Sequence, residues 1–201
     1  MSAQGIVAAA VRLADDGGIG AASMRKVAAE LGVEAMSLYH HVRNKSELLD
    51  GMVDTVMAEV EVPRAGEPWR DEMVTRSRSL RDTIGRHRWV IPLLDSRSEP
   101  GPATLRHHES VIACLRADGF TLDDAAHAYS AIDSYVFGFA LQEQNVPFDD
   151  TEEDITEMAS ALVDAMDPAA YPNLRKLALE VVLRPGYSFG AEFEVGLDLI
   201  L

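Results

Sequence analysis

Apolar residues recur at helical spacing along almost the whole chain. No segment shows the sustained alternation of apolar and polar positions, bounded by turn signals, that marks a strand. The pattern therefore predicts an all-α fold. Its predicted helices span residues 2–16, 44–60, 69–84, 103–117, 121 to about 143, 151–166, 171–183 and 188–201, with a short apolar segment at 89–94.

The stretch from residue 23 to residue 49 carries the most specific local signals. Ser23 is a good N-cap for a short helix, and Gly32 ends it because glycine readily adopts the left-handed C-cap conformation. A second short helix can begin two residues later. Asn44 is the next N-cap, with Glu47 at the capping-box position. The pattern therefore predicts two short helices joined by a tight glycine turn, with a third helix directly after them. This is a helix-turn-helix motif, which places its second helix in the DNA major groove.

A cluster of helix-breaking residues suggests where the chain divides. Pro63, Gly66 and Pro68 follow the apolar helix that ends near residue 60, and such residues mark turns and linkers. We therefore predict two domains, residues 1–62 with the helix-turn-helix and residues 63–201 with the remaining helices.

Charge is segregated along the chain. The formal net charge of −15 argues against non-specific nucleic-acid binding by the whole protein. The window from residue 20 to residue 46 nevertheless holds four bases and two acids, whereas residues 121–167 hold twelve acids and no Lys or Arg. We expect a basic face at the helix-turn-helix and an acidic remainder, although most of those acids can simply be a solvated surface.

Composition sets further expectations. The single cysteine, Cys114, excludes an internal disulfide framework and suits a reducing cytoplasm. No signal peptide is expected, since the N-terminus lacks a basic flank and Asp15 and Asp16 interrupt its apolar run. No apolar stretch approaches the ~20 residues that span a bilayer, so no membrane partner is expected.

The residues between the caps sharpen the helix-turn-helix prediction. The pattern M-R-K-V-A-x-x-L-G-V, then S-L-Y-x-H-V and N-K-x-x-L-L, resembles the DNA-binding head of the tetracycline-repressor (TetR) family over residues 6–60. Tyr39, His41, Lys45 and Leu48 at these offsets carry the resemblance. The alternative is an ordinary αα-hairpin with an exposed Tyr-His-His tip.

The rest of the chain resembles the ligand-binding body of the same family. Residues 118–125, residues 135–144 and the closing F-x-x-G-L-D-L-I-L are similar to the branch that contains the tetracycline repressors. The resemblance implies a homodimeric regulator, usually a repressor, that pairs through residues 151–166 and 188–201. It also implies a palindromic operator and a small-molecule effector that releases the protein from DNA.

The resemblance and the chemistry of the side chains together suggest the DNA contacts. Base edges are read by side chains at the start and outer face of the recognition helix. Free backbone N–H groups at a helix N-terminus favour binding of a phosphate. The predicted DNA-binding residues are Ala35, Met36, Ser37 and His40 for base edges, Arg25 for a guanine or a phosphate, and Tyr39, His41 and Lys45 for the phosphate backbone.

The effector site departs from the tetracycline-repressor pattern. Leu93 and Gln142 stand where that branch uses a His and a Glu to bind magnesium–tetracycline, so this drug is not expected to be the effector. Asp133 lies within a buried-helix pattern, either paired with an Arg or hydroxyl or facing a ligand, and Gly138 is expected to mark close approach of a neighbour or ligand. The predicted ligand-binding residues are Leu93, Val111, Tyr129, Asp133, Phe137 and Gln142.

Other classes of function find less support. The chain lacks G-x-S-x-G, H-E-x-x-H and Gly-rich phosphate-loop motifs, so an enzyme is not expected. Cys114 fits an apolar stripe rather than a nucleophile site. His107, His108 and Glu109 are adjacent and point in different directions on a helix, so neither a metal nor another cofactor is expected. A ligand-independent structural DNA-binding dimer remains the other alternative, which an internal cavity would argue against.

Overall fold

The computed structural model describes residues 1–94, 96–97, 99–146 and 152–201, and these residues contain helices and no strand, which confirms the all-α prediction. A 3₁₀ turn spans Ile19–Ala21, and α10 continues into a π-helical turn over Ala178–Val182. No helix of these ranges has the length and hydropathy needed to cross a membrane. The α-helices are α1 (Ala3–Gly17), α2 (Met24–Glu30), α3 (Ala35–Leu38), α4 (Lys45–Met57), α5 (Trp69–Arg86), α6 (Ile91–Leu94), α7 (Pro102–Ala117), α8 (Leu122–Asn145), α9 (Glu152–Ala165), α10 (Pro172–Leu177) and α11 (Glu192–Ile200).

The chain divides into two compact units, residues 1–140 and 141–201. The first unit contains α1 to α7 and most of α8. The second contains the end of α8 and the helices that follow it. The boundary expected near residue 62 stays a prediction.

The helix-turn-helix forms with the caps that the sequence predicts. Ser23 Oγ accepts a hydrogen bond from the backbone N–H of Lys26 (3.3 Å), and Asn44 Oδ1 accepts one from the backbone N–H of Glu47 (2.9 Å). The backbone of Gly32 has φ +67°, the left-handed conformation expected of it. A short turn at Gly32 therefore connects α2 to α3, and Asn44 is the N-cap of α4.

Small apolar side chains let the first four helices pack closely. Ile6, Ala9 and Ala10 of α1 are fully buried, as are Leu48 and Met52 of α4. Two or three short helices bury too little surface to be stable alone, so α1 and α4 brace the helix-turn-helix.

Side-chain contacts also connect α1 to the residues that directly follow α5. Asp15 Oδ1 lies 2.7 Å from His87 Nδ1 and accepts a 2.7 Å hydrogen bond from Trp89 Nε1. The other ring nitrogen of His87 lies 3.3 Å from Glu59 Oε1, just beyond the end of α4. His87 thus lies between two carboxylates, one near the end of α1 and one just beyond α4.

The helices α5, α7 and α8 supply the rest of the core of the first unit. Arg76 of α5 is 1% exposed and pairs with Asp133 of α8. Gly138 was expected to mark close approach of a neighbour or a ligand, and a Cβ there would meet no described atom within 4 Å. This glycine is therefore not required by packing in the first unit.

The second unit keeps several apolar side chains on its surface. Its buried residues include Ile155 and Ala159 of α9 and Phe193 and Leu197 of α11. Exposed apolar side chains share the same two helices: Met158, Leu162, Val195, Leu199 and Ile200.

The start of the last helix differs from the prediction. The helix was predicted to span residues 188–201 from Ser188 onward, yet α11 begins at Glu192 with Ala191 as N-cap. Between them the backbone forms i+3 to i hydrogen bonds, from Ala191 N to Ser188 O and from Glu192 N to Phe189 O, which make tight turns rather than an α-helix. The predicted start of the helix at residues 151–166 lies outside the described residues.

Candidate DNA-reading tip and ligand cavity

The tip, defined as residues 23–45, has a buried side and an exposed side. Leu38 and Val42 are buried against the core, and both His41 and Val42 donate backbone hydrogen bonds to the carbonyl of Leu38 (2.9 and 3.0 Å). This arrangement turns the rest of the recognition segment outward. Of the predicted DNA-binding residues, Arg25, Met36, Tyr39, His40, His41 and Lys45 are exposed, and Ala35 and Ser37 are half-buried.

Cations at the tip are available to bind an anion. Among the described residues, Arg25, Lys26 and Lys45 form no ion pair, whereas Arg43 pairs with Glu47 (Nε to Oε2, 3.1 Å). The backbone N–H of Arg43 donates to the same carboxylate (2.5 Å), and this bond lowers the pKa of Glu47 below its ordinary value. Lys45 opens α4, where unpaired backbone N–H groups attract phosphate. The tip can therefore hold a nucleic-acid backbone, and its role in reading bases stays a prediction.

A cavity of about 330 Å³ lies within the first unit. This is the lower end of the range for sites that bind small organic molecules. Helices α4 to α8 all contribute to it. The lining residues are Met57, Arg76, Leu80, Leu94, Thr104, His108, Tyr129, Ser130, Asp133, Ser134 and Phe137.

A buried ion pair forms one wall of the cavity. The guanidinium of Arg76 bonds to Asp133 Oδ1 through Nη1, and its Nε and Nη2 lie 3.1 and 3.0 Å from His107 Nε2. The same guanidinium lies 5.5 Å from the centroid of the Tyr129 ring, a cation–π distance. Asp133 is therefore already neutralised by a cation that the protein supplies.

His107 contacts the guanidinium of Arg76 from the protein interior. It is fully buried, and burial, with smaller contributions from the nearby Arg76 and His108, lowers the pKa of His107 to about 3. The neutral ring can therefore accept from Arg76 through Nε2, which assigns its proton to Nδ1. That Nδ1 has no hydrogen-bond partner among the described residues. His107 thus orients Arg76 without adding a second positive charge to the cavity.

The structure brings three of the six predicted ligand-binding residues together. Tyr129, Asp133 and Phe137 line the cavity from successive turns of α8. Leu93 is half-buried on α6, where its neighbour Leu94 lines the cavity instead. Val111 is fully buried in α7 but does not line the cavity, and Gln142 is exposed in the second unit.

Several cavity residues were missed at the sequence level. Arg76 could have been found, because it lies three residues after Met73 and four before Leu80, on the apolar stripe of α5. Thr104, Ser130 and Ser134 are small polar residues without any local pattern that would identify them.

Comparisons with known proteins agree with this architecture. The family model described as "Bacterial regulatory proteins, tetR family" matches residues 6–52. The model described as "Tetracyclin repressor-like, C-terminal domain" matches residues 62–201.

Two relatives of known sequence are described as regulators of transcription. An HTH-type transcriptional regulator of Saccharopolyspora erythraea is 40% identical over 139 residues, which are 69% of this chain and 59% of that protein. The HTH-type transcriptional repressor DrrR1 of Streptomyces coeruleorubidus is 39% identical over 140 residues, which are 69% of this chain and 52% of DrrR1. The chain therefore matches little more than half the length of either relative.

Solved structures match over the full chain. The TetR family protein ActR of Streptomyces coelicolor in complex with (S)-DNPA superposes with a TM-score of 0.83 at 29% identity, covering 100% of this chain and 95% of ActR. Its complex with actinorhodin gives 0.81 at 30% identity, covering 100% and 94%. Because the two family models together match residues 6–52 and 62–201, this protein belongs to the TetR family of transcriptional regulators, which are generally repressors that bind DNA and carry a ligand-binding C-terminal domain.

Proposed function

We propose that this chain is a homodimeric repressor that binds a palindromic operator through two tips and is released when a small organic molecule enters the cavity. Residues 1–62 bind DNA in this proposal, and residues 63–201 serve ligand binding and dimerisation. The observation that carries it is the 330 Å³ cavity, because Met57 of α4 lines the cavity while the other end of α4 supports the tip. One helix therefore connects the two sites.

The composition of the cavity wall favours a particular effector chemistry. Apolar side chains (Met57, Leu80, Leu94) suit a hydrocarbon frame, and the hydroxyls of Thr104 and Ser134 suit oxygen atoms on that frame. A cationic group is disfavoured because Arg76 already neutralises Asp133 and because an unpaired buried charge is costly. The effector we propose is uncharged where it reaches the ion pair. ActR, with the same fold, was crystallised with the small molecules actinorhodin and (S)-DNPA.

Magnesium–tetracycline is not the effector in this proposal. Leu93 offers no metal ligand, and Gln142 is a neutral amide in place of a carboxylate. Addition of tetracycline with magnesium should leave the protein–operator complex intact, and release at low drug concentration would refute this part of the proposal.

The surface of the second unit supports a dimer. Leu199 is 83% exposed and Val195 56% exposed, and Met158 and Leu162 of α9 are also exposed. Exposed apolar stripes on two helices are expected to be covered by a partner, which we propose is a second copy of the chain. A pair of tips related by a two-fold axis would read a palindrome.

Selection of duplexes from a random-sequence pool, followed by a gel shift, tests the DNA-binding part. The enriched sequence should be an inverted repeat. If each tip holds three or four phosphates, the log–log slope of affinity against salt should be about −5 to −7. A pool without enrichment, or a slope near zero, would overturn the proposal.

A ligand-independent structural DNA-binding dimer is the second candidate. A thermal-shift screen with uncharged, oxygen-bearing aromatic compounds separates the two, since a sensor gains stability when its cavity fills. A compound that stabilises the protein and also dissociates the selected duplex supports the sensor.

A further inference from the structure

Helix α4 has a second connection to the cavity besides Met57. The carboxylate of Asp54 accepts two hydrogen bonds from one residue, the backbone N–H of Thr104 (2.8 Å) and its hydroxyl (3.0 Å). Thr104 lies in the first turn of α7, where backbone N–H groups have no partner inside the helix. Asp54 therefore caps α7 from a different helix, 50 residues earlier in the sequence.

The start of α7 is shaped to receive this carboxylate. A Cβ on Gly101 would lie 2.5 Å from Asp54 Oδ1 and 2.6 Å from Oδ2, closer than real Cβ contacts. Residue 101 must therefore remain a glycine for the carboxylate to reach Thr104. Asp54 is half-buried, which limits competition from water.

Thr104 also lines the cavity, so the two hydrogen bonds join the cavity wall to α4. Other polar contacts to α1 and α4 run from Asp15 and Glu59 to the end of α5 and the residues directly after it, and from Arg97 to Asp50, and none of these residues lines the cavity. Among the described residues, the Asp54 contact is therefore the side-chain hydrogen bond to α4 that a molecule in the cavity can exchange directly.

We propose that Asp54 is a positioning residue that couples the orientation of the tip to the cavity through the hydroxyl of Thr104. The inference rests on the proposed function and names its transmission contact. A threonine hydroxyl carries a single proton. When a ligand oxygen accepts that proton, or when a ligand or an enlarged side chain displaces the hydroxyl, Asp54 keeps only the backbone N–H of Thr104, and α4 is freed to shift against α7.

The test needs no identified effector, because large side chains can fill the cavity in its place. Phe137→Trp and, separately, Leu80→Phe enlarge cavity-lining residues. Each is combined with Thr104→Val, which removes the hydroxyl, and with Thr104→Ser, which retains it. Thr55→Val is the matched control, since among the described residues the Thr55 hydroxyl bonds within α4 alone, to the carbonyl of Gly51 (2.8 Å).

The first readout is the distance between spin labels on the tip and on α8, at Ala29→Cys and Asp123→Cys. Both positions are exposed, and the native Cys114 is fully buried and will not label. We expect Thr104→Val and Gly101→Ala to shift or broaden the distance distribution, and Thr104→Ser and Thr55→Val to match the parent. Thermal melts exclude variants that fail to fold, and unchanged distributions in both Thr104→Val and Gly101→Ala would overturn the inference.

The second readout is affinity for the selected duplex. With Thr104 present, a filling substitution should weaken binding about fivefold or more, the scale of ordinary allosteric coupling, and with Thr104→Val the same substitution should have a clearly smaller effect. Equal effects in both backgrounds, or no effect of either filling substitution, would contradict the coupling. If no duplex is selected, the proposed function fails, while the spin-label distances still test the contact.

Discussion

The tip and the cavity belong to the same compact unit, yet they are built in opposite ways. The tip comes from about two dozen consecutive residues, and its polar side chains point into solvent. The cavity draws on five helices, and its most important polar residue, Arg76, is 1% exposed and held by partners 31 and 57 residues away. Arg25, Lys26 and Lys45 of the tip form no ion pair among the described residues and can bind an anion, whereas the charges at the cavity support the fold.

Arg76→Ala should give the largest effect on stability. It leaves Asp133 without its cation inside a polar pocket, and loss of one partner of a buried pair costs about 3–5 kcal/mol. Because Asp133 is 16% exposed, we expect about 3 kcal/mol, measured by urea unfolding.

The control for Arg76 is Arg12→Ala. Arg12 pairs with Glu30 at 3.7 Å, and both side chains are well exposed, so its loss should cost under about 1 kcal/mol. If both substitutions lowered the free energy of unfolding equally, the distinction between buried charges that stabilise the fold and exposed charges that do not would be wrong.

His107 should make stability depend on pH. Its folded pKa is about 3 against an ordinary 6.5, so as pH falls below 6.5 the unfolded chain binds a proton that the folded chain refuses. The contribution is fully present above pH 6.5 and is lost progressively down to pH 3. Between pH 7 and pH 5 it should remove about 2 kcal/mol from the free energy of unfolding.

His107→Gln tests this assignment. The glutamine oxygen can still accept from Arg76 but does not titrate, so the variant should have a flatter profile between pH 7 and pH 5. The carboxylates whose pKa values are lowered, Glu47, Glu59 and Glu72, titrate below this window. Parallel profiles for the wild type and the variant would show that His107 is not the responsible group.

Lys45→Ala should weaken DNA binding without lowering stability, in contrast to Arg76→Ala. Removal of one exposed phosphate contact per tip should weaken binding to the selected duplex and make the salt slope about 2 less steep for a dimer, with stability unchanged within ~0.5 kcal/mol. Lys176→Ala removes the same charge from an exposed site in the second unit and should leave DNA affinity unaltered. A loss of stability with Lys45→Ala would place this lysine among the structural charges.

The two regions also differ in how far the sequence predicts them. The caps Ser23 and Asn44 and the turn at Gly32 act within a few residues, so their pattern predicted the tip in detail. The pairing of Arg76 on α5 with Asp133 on α8, and of Asp54 with Thr104, depends on which helices pack together. A local sequence pattern does not predict which helices pack together. Asp133 was expected to be either paired or facing a ligand, and in the structure it is paired and also lines the cavity.

Two glycines give the smallest expected effects, with opposite signs. Gly138 is helical, and a Cβ there would meet no described atom within 4 Å, so Gly138→Ala should stabilise the protein by up to about 1 kcal/mol through helix propensity. Gly32 has φ +67°, which a residue with a Cβ adopts only at a cost, so Gly32→Ala should destabilise by about 1 kcal/mol. Urea unfolding of both variants measures these changes. If Gly138→Ala instead destabilises the protein, residue 138 is in contact with something beyond the described atoms, and the earlier expectation of close approach by a neighbour or a ligand gains support.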